Sequence, residues 1–82
     1  MKEKKQEEEA QFEIVYSKIG KRLRKLRKEK DFTSGEHFAH EYGIKTSQYM
    51  SWERGQNMTL ASLLKLARIH EIKLSELLSD VD

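Results

Sequence analysis

Between Lys45 and Arg54 the chain places short hydroxyls, an amide and a thioether on one helix, a set suited to touching the edges of nucleic-acid bases. In Thr46-Ser-Gln-Tyr-Met-Ser-Trp-Glu-Arg54, Tyr49 and Trp52 stand three apart and take the inward side. Thr46, Ser47, Met50, Ser51 and Arg54 are then left facing outward, with cations only at the two ends, Lys45 and Arg54. Serine and threonine hydroxyls donate to or accept from base edges, the Gln48 amide can pair with adenine if it turns into a groove, and a methionine can cover a thymine methyl. The same residues also describe an ordinary polar helix surface, and composition alone favours that plainer reading. Just upstream, a short helical segment ends at Gly43, and the next begins within a few residues and runs to Gly55. Two helices joined by so tight a glycine-containing turn have the sequence form of a helix-turn-helix.

Other chemistries find less support. His37 and His40 lie three apart beside Glu36 and Glu41, which is metal-ligand spacing, but structural zinc needs four converging ligands and the one remaining histidine, His70, is far along the chain. The sequence has no glycine-rich phosphate loop, no paired buried acids and no nucleophile with a base at readable spacing. We expect no catalytic residue, no metal and no cofactor, and hence not an enzyme. His37 and His40 are expected on a helix surface and His70 at a helix end, with Trp52 in the core.

The elements that would hold the Thr46–Arg54 face are all helical. Proline is absent, glycine occurs four times in 82 residues, and no strand-like alternation of any length appears. Residues 1–10 offer almost nothing to bury and are expected to be frayed or loosely helical, a charged, disordered extension that leaves residues 11–82 as one domain. From Phe12 an apolar stripe sets in (Phe12, Val15 or Tyr16, Ile19, Leu23, Leu26), predicting a long first helix to about Lys30, weakened at Gly20 by about 1 kcal/mol against alanine. Thr33-Ser-Gly-Glu36 fits a capping box for a second helix ending near Tyr42, where Phe38 and Tyr42 face inward and Gly43 allows a left-handed exit. Ile44 is expected to plug the turn. Thr59 caps a fourth helix whose apolar face is read as Leu60, Leu63, Leu64 and Ala67 with Leu66, and Ile72–Leu78 forms a short last helix with Leu74, Leu77 and Leu78 closing the core.

Net charge is only +2, but residues 18–30 hold eight cations against the single acid Glu29. Such a block suggests a polyanionic partner or, equally, a solvated helix face. There is no cysteine for disulfides or thiolate metal sites, and no apolar run long enough for a signal peptide or a membrane span, so a cytoplasmic location with no membrane partner is the default expectation.

Several motifs, taken together, carry a family likeness. Ile19-Gly-Lys-Arg-Leu-Arg-Lys-Leu-Arg27, Phe38-Ala39, Gly43-Ile44, Trp52-Glu-Arg-Gly55 and Leu63-Leu-Lys-Leu-Ala67, in this order and spacing, resemble the Cro/lambda-repressor-type (XRE-like) helix-turn-helix family over residues 18–79. The resemblance implies a five-helix all-α fold and a transcriptional regulator, read here as a repressor, that binds double-stranded DNA as a homodimer on a pseudo-palindromic operator. It places Thr46, Ser47, Met50 and Ser51 at base-reading positions, since such proteins set the start of the third helix against base edges in the major groove. Lys45 and Arg54 then suit phosphates, as do the backbone N–H groups around Ser34 and Gly35 and the side chain of Lys28, with Lys30 beside it. Arg27 and Glu53 match an ion pair between the first and third helices. Lys18, Lys21 and Lys25 fall behind the reading unit, as solvated or steering charge. The chain departs from the family pattern at Tyr49, Met50, His70 and Glu71, and lacks the usual glutamine at the start of the second helix. A competing class is a protein-interaction module or antitoxin-like partner binder, for which Phe12, Val15 and Tyr16 could extend an interface.

Overall fold

Helix α1 (Lys2–Glu29) is the longest element of the computed structural model, which describes residues 2–81. It is followed by α2 (Gly35–Glu41), α3 (Thr46–Glu53), α4 (Leu60–Ile69) and α5 (Leu74–Leu77), and among the described residues all regular structure is helical. The fold class is therefore the all-α, five-helix arrangement expected. Residues 2–10, expected as a loosely helical or disordered extension, form the first turns of α1. Every residue from Lys2 to Ala10 is Lys, Glu, Gln or Ala, all strong helix formers, so the helix continues well past the last residue that packs on the body.

The core is one cluster. Helix α1 supplies Ile19, Leu23 and Leu26, α2 supplies Phe38 and Ala39, and α3 supplies Tyr49 and Trp52. Ile44 plugs the turn, and Leu66, Ala67, Leu77 and Val81 close the far side. At its centre Phe38 touches Tyr49 at 4.9 Å between ring centroids, meets Phe32 edge-on at 5.3 Å, and stacks on the His70 ring at 5.4 Å. Such aromatic pairs each add to the area they bury. His70, the C-cap of α4, is thus the helix-end packing residue expected, and burial lowers its pKa. His37 and His40 lie on the surface of α2, His37 against the edge of Phe32.

Local capping settles where the helices begin. The cap of α2 is Ser34 rather than Thr33: the Ser34 Oγ accepts from the His37 N–H at 3.2 Å. Gly43 exits that helix at φ +66, as the turn requires. Helix α4 has the reciprocal box, with Thr59 Oγ1 accepting from the Ser62 N–H at 3.0 Å and Ser62 Oγ from the Thr59 N–H at 2.8 Å. Its apolar face is rotated from the expected one. Leu66 and Ala67 are buried with Leu63 partly so, whereas Leu60 and Leu64 remain 63% and 41% exposed.

Gly20 is not a mere weak point in α1. A Cβ there would overlap the Glu53 carbonyl oxygen, and one on Gly55, at φ +77, would sit 2.8 Å from the Tyr16 carbonyl oxygen. The two glycines let the backbones of α1 and the end of α3 approach without side chains between them. The roughly 1 kcal/mol of helix propensity lost at Gly20 is offset by that contact.

Candidate nucleic-acid interface

Helix α3 packs against α1 on one side and α2 on the other, so only a strip of its surface stays open. The α1 contact is built on charge. Arg27, 4% exposed, donates from Nε to Glu53 Oε2 at 2.7 Å, from a terminal nitrogen to Glu53 Oε1 at 3.2 Å, and from the other to the Phe32 carbonyl at 2.8 Å. This two-pronged pair joins the last turn of α1 to the last residue of α3, as the sequence suggested. The hydrogen bond to Glu53 raises the Arg27 pKa and keeps the guanidinium charged, while burial pushes the Tyr49 phenol up and keeps it neutral beside the pair.

The α2 contact is apolar and close. A Cβ on Gly35 would meet Met50 Sδ at 2.6 Å, so Gly35 is the notch into which Met50 packs. This changes two expectations. Met50 is half-buried rather than fully outward, and Gly35 is buried under it instead of standing open toward a phosphate. Ser34 is exposed, but its hydroxyl is committed to the cap.

The open strip is a shallow concavity lined by Lys45, Ser47, Gln48, Ser51, Arg54, Gln56 and Asn57. Lys45, Thr46, Ser47, Gln48 and Arg54 are exposed; Thr46, Ser47 and Arg54 face outward as expected, and Gln48 joins them. Ser51 is corrected. It points into the concavity but forms its floor, 6% exposed, with its Oγ donating to the Gln48 carbonyl at 2.7 Å. Only acceptor lone pairs remain there, at the bottom of the recess. Thr46 and Lys28 are exposed but do not line this recess.

Two residues passed over in the sequence join the site. Gln56 and Asn57 follow the Schellman turn that ends α3, with the Gln56 N–H donating to the Ser51 carbonyl at 2.8 Å and Asn57 in the left-handed region at φ 56, and both line the concavity. The signal that could have found them is Gly55, which forces the chain to reverse at the end of α3. Helix α3 also begins without a side-chain cap, since Lys45 makes no capping bond. Its leading N–H groups therefore lack side-chain partners, next to a free lysine, which is an arrangement that favours an anion.

Comparison with known proteins agrees with this geometry. Residues 22–82 match the model of the Cro/C1-type HTH DNA-binding domain. The chain is similar to the control protein C.MunI of Mycoplasma sp, at 41% identity over 66 residues, covering 79% of this chain and 89% of the relative. No solved structure matches at comparable significance.

Proposed function

The chain belongs to the Cro/C1-type helix-turn-helix family and is a DNA-binding transcriptional regulator, and from that premise we propose how it binds and acts. It reads a pseudo-palindromic operator as a homodimer in the cytoplasm and acts as a repressor by occupying the site, without chemistry. The observation that carries this is the concavity along α3, where Ser47 and Gln48 lie between Lys45 and Arg54. Ser47 and Gln48, with Thr46 at the helix start, contact base edges. Lys45, the leading N–H groups of α3, and Arg54 hold phosphates on either side, and the Gln56 and Asn57 amides lie where the same backbone would pass.

The salt dependence of binding tests the phosphate contacts. The slope of log K against log salt for the wild type is expected to be steep, and Lys45→Ala and Arg54→Ala should each flatten it by about 1.8, because each removes two phosphate contacts from the homodimer at about 0.9 per contact. An unchanged slope in both variants would remove these two cations from the interface.

The homodimer is supported by the outer face of α4, where Leu60 and Leu64 are 63% and 41% exposed one turn apart, with Ala61, Lys65 and Arg68 around Leu64. Leu60 follows directly on the α3–α4 loop, so a second copy meeting there sets two α3 helices side by side. Wild type should prefer a complete operator to a half-site by about 100-fold through linked binding. Leu60→Lys with Leu64→Lys is expected to abolish that preference while keeping half-site binding, and a retained preference would exclude this face as the dimer contact.

A further inference from the structure

Of the three large apolar side chains on α3, Tyr49 and Trp52 are buried in the core, and Met50 alone keeps part of its surface open. Met50 follows Thr46 by four positions and Ser47 by three, and precedes Arg54 by four, so these side chains are neighbours on one side of the helix. Side chains on a helix lean back toward its N-terminus, which carries the Met50 thioether over the turn that holds Thr46 and Ser47. A thioether there has no hydrogen to donate and accepts only weakly. It is an apolar spot among hydroxyls.

The wall on the α2 side of Met50 is Gly35. The site a Cβ would take on Gly35 is crowded by Met50 Sδ at 2.6 Å, Tyr49 Cε2 at 3.4 Å and Met50 Cε at 3.6 Å. The backbone itself does not call for glycine at this position. Gly43 and Gly55 stand in the left-handed region, and Gly35 does not. It is the first residue of α2, a helix of only seven residues, where glycine carries a propensity penalty against alanine. What the missing side chain supplies is space, and Met50 takes it.

We propose that Met50 is a specificity-determining residue that reads the C5-methyl group of a thymine, and that Gly35 is its positioning residue. This rests on the reading of α3 as the element that enters the major groove. Base edges in that groove present donors, acceptors and one apolar group, the thymine methyl. A thioether matches only the last of these, and its polarisable, unbranched chain adapts to the fit. Gly35 sets how far the thioether stands from α2. A side chain at position 35 must move Sδ from 2.6 Å to the 3.4 Å at which ordinary contact begins. With Tyr49 fully buried behind it, the open side of α3 is the direction left, and there the thioether no longer seats on the methyl.

The test uses a half-site duplex selected from a random-sequence pool by the wild-type chain, then remade with each thymine in turn replaced by deoxyuridine, which lacks only the C5-methyl. At one position the loss of the methyl is expected to weaken wild-type binding about fourfold, the ratio for one buried methyl group. Met50→Ala and the polar, equally long Met50→Gln should bring that ratio close to one and leave it unchanged at every other thymine. Met50→Leu, which stays apolar, should retain it. Gly35→Ala meets no positive φ and displaces only a flexible side chain, so it is expected to fold. It should lower the methyl preference at the same position at least about twofold, and have no effect on it once Met50 is alanine. A methionine that merely seals α2 against α3 would, when replaced, weaken thymine and deoxyuridine duplexes alike. Ratios unchanged by Met50→Ala at every thymine overturn the proposal, as does an effect of Gly35→Ala that persists without Met50. The reading of α3 fails separately, if Ser47→Glu binds the selected duplex as the wild type does.

Discussion

Glu53→Ala is expected to lower the unfolding free energy by about 3–5 kcal/mol, read as a shift in the urea midpoint at constant slope. The Arg27 and Glu53 side chains are 5% and 8% exposed. Deleting the carboxylate leaves a buried guanidinium with the Phe32 carbonyl alone as its remaining partner. The domain's total stability is on the order of 5–15 kcal/mol, so a loss of this size removes a large share of it. The matching expectation is that Arg27→Met with Glu53→Leu, which removes both charges and keeps the volume, stays within about 1 kcal/mol of wild type or exceeds it. If Glu53→Ala costs under about 1 kcal/mol, the pair behaves as a solvated surface contact and does not anchor α3. The pair therefore matters less as net stability than as a clamp on angle. It sits at the C-terminal end of α3, opposite the end proposed to meet the bases, and it meets α1 near the close backbone contact allowed by Gly20 and Gly55.

The second large effect concerns recognition. Ser47→Glu sets a carboxylate on the exposed strip between Lys45 and Arg54, where it should cost at least about 100-fold in operator affinity through lost base contact and repulsion from phosphates. Circular dichroism and thermal unfolding should be unchanged, because Ser47 is exposed. Gln48→Ala in the same assay should relax selectivity at one base pair by about 1–3 kcal/mol while leaving nonspecific binding intact. Ser51→Ala separates the structure from the sequence reading. Its hydroxyl proton is held by the Gln48 carbonyl, and the residue lies on the floor of the concavity. We expect its affinity to stay close to wild type. Unchanged DNA binding by Ser47→Glu would favour the competing class, a protein-interaction module on the same helices.

Much of this was open to reading from the chain because helices and caps are local. The three-residue step from Tyr49 to Trp52, the glycine at position 43 and the Thr59 cap each act through backbone and side chains within one or two turns. Arg27 and Glu53, 26 residues apart, are not local and were legible only because the family likeness set α1 against α3. The cap falls on Ser34, one residue after the expected Thr33, because both residue types can cap and sequence alone does not choose between them.

What lay outside the sequence depended on neighbours distant along the chain or on the far side of a helix. Ser51 lies on the outward side of α3, as periodicity said, but at 6% exposure it is the floor of the concavity, and the turn at Gly55 adds Gln56 and Asn57 to the rim. Met50 shares the open side of α3 with the hydroxyls, and only the notch at Gly35 draws it toward α2. On α4 the leucines at 60, 63, 64 and 66 allow more than one buried face, and packing against the rest of the core chose the one through Leu66 and Ala67. The sequence by itself determined that five helices form, because those follow from spacing and capping, and through the family likeness it singled out the short helix proposed to read DNA. Which of that helix's outward residues can reach a base was decided by tertiary structure alone, since depth in a recess is a property of everything around a side chain and not of its position along the helix.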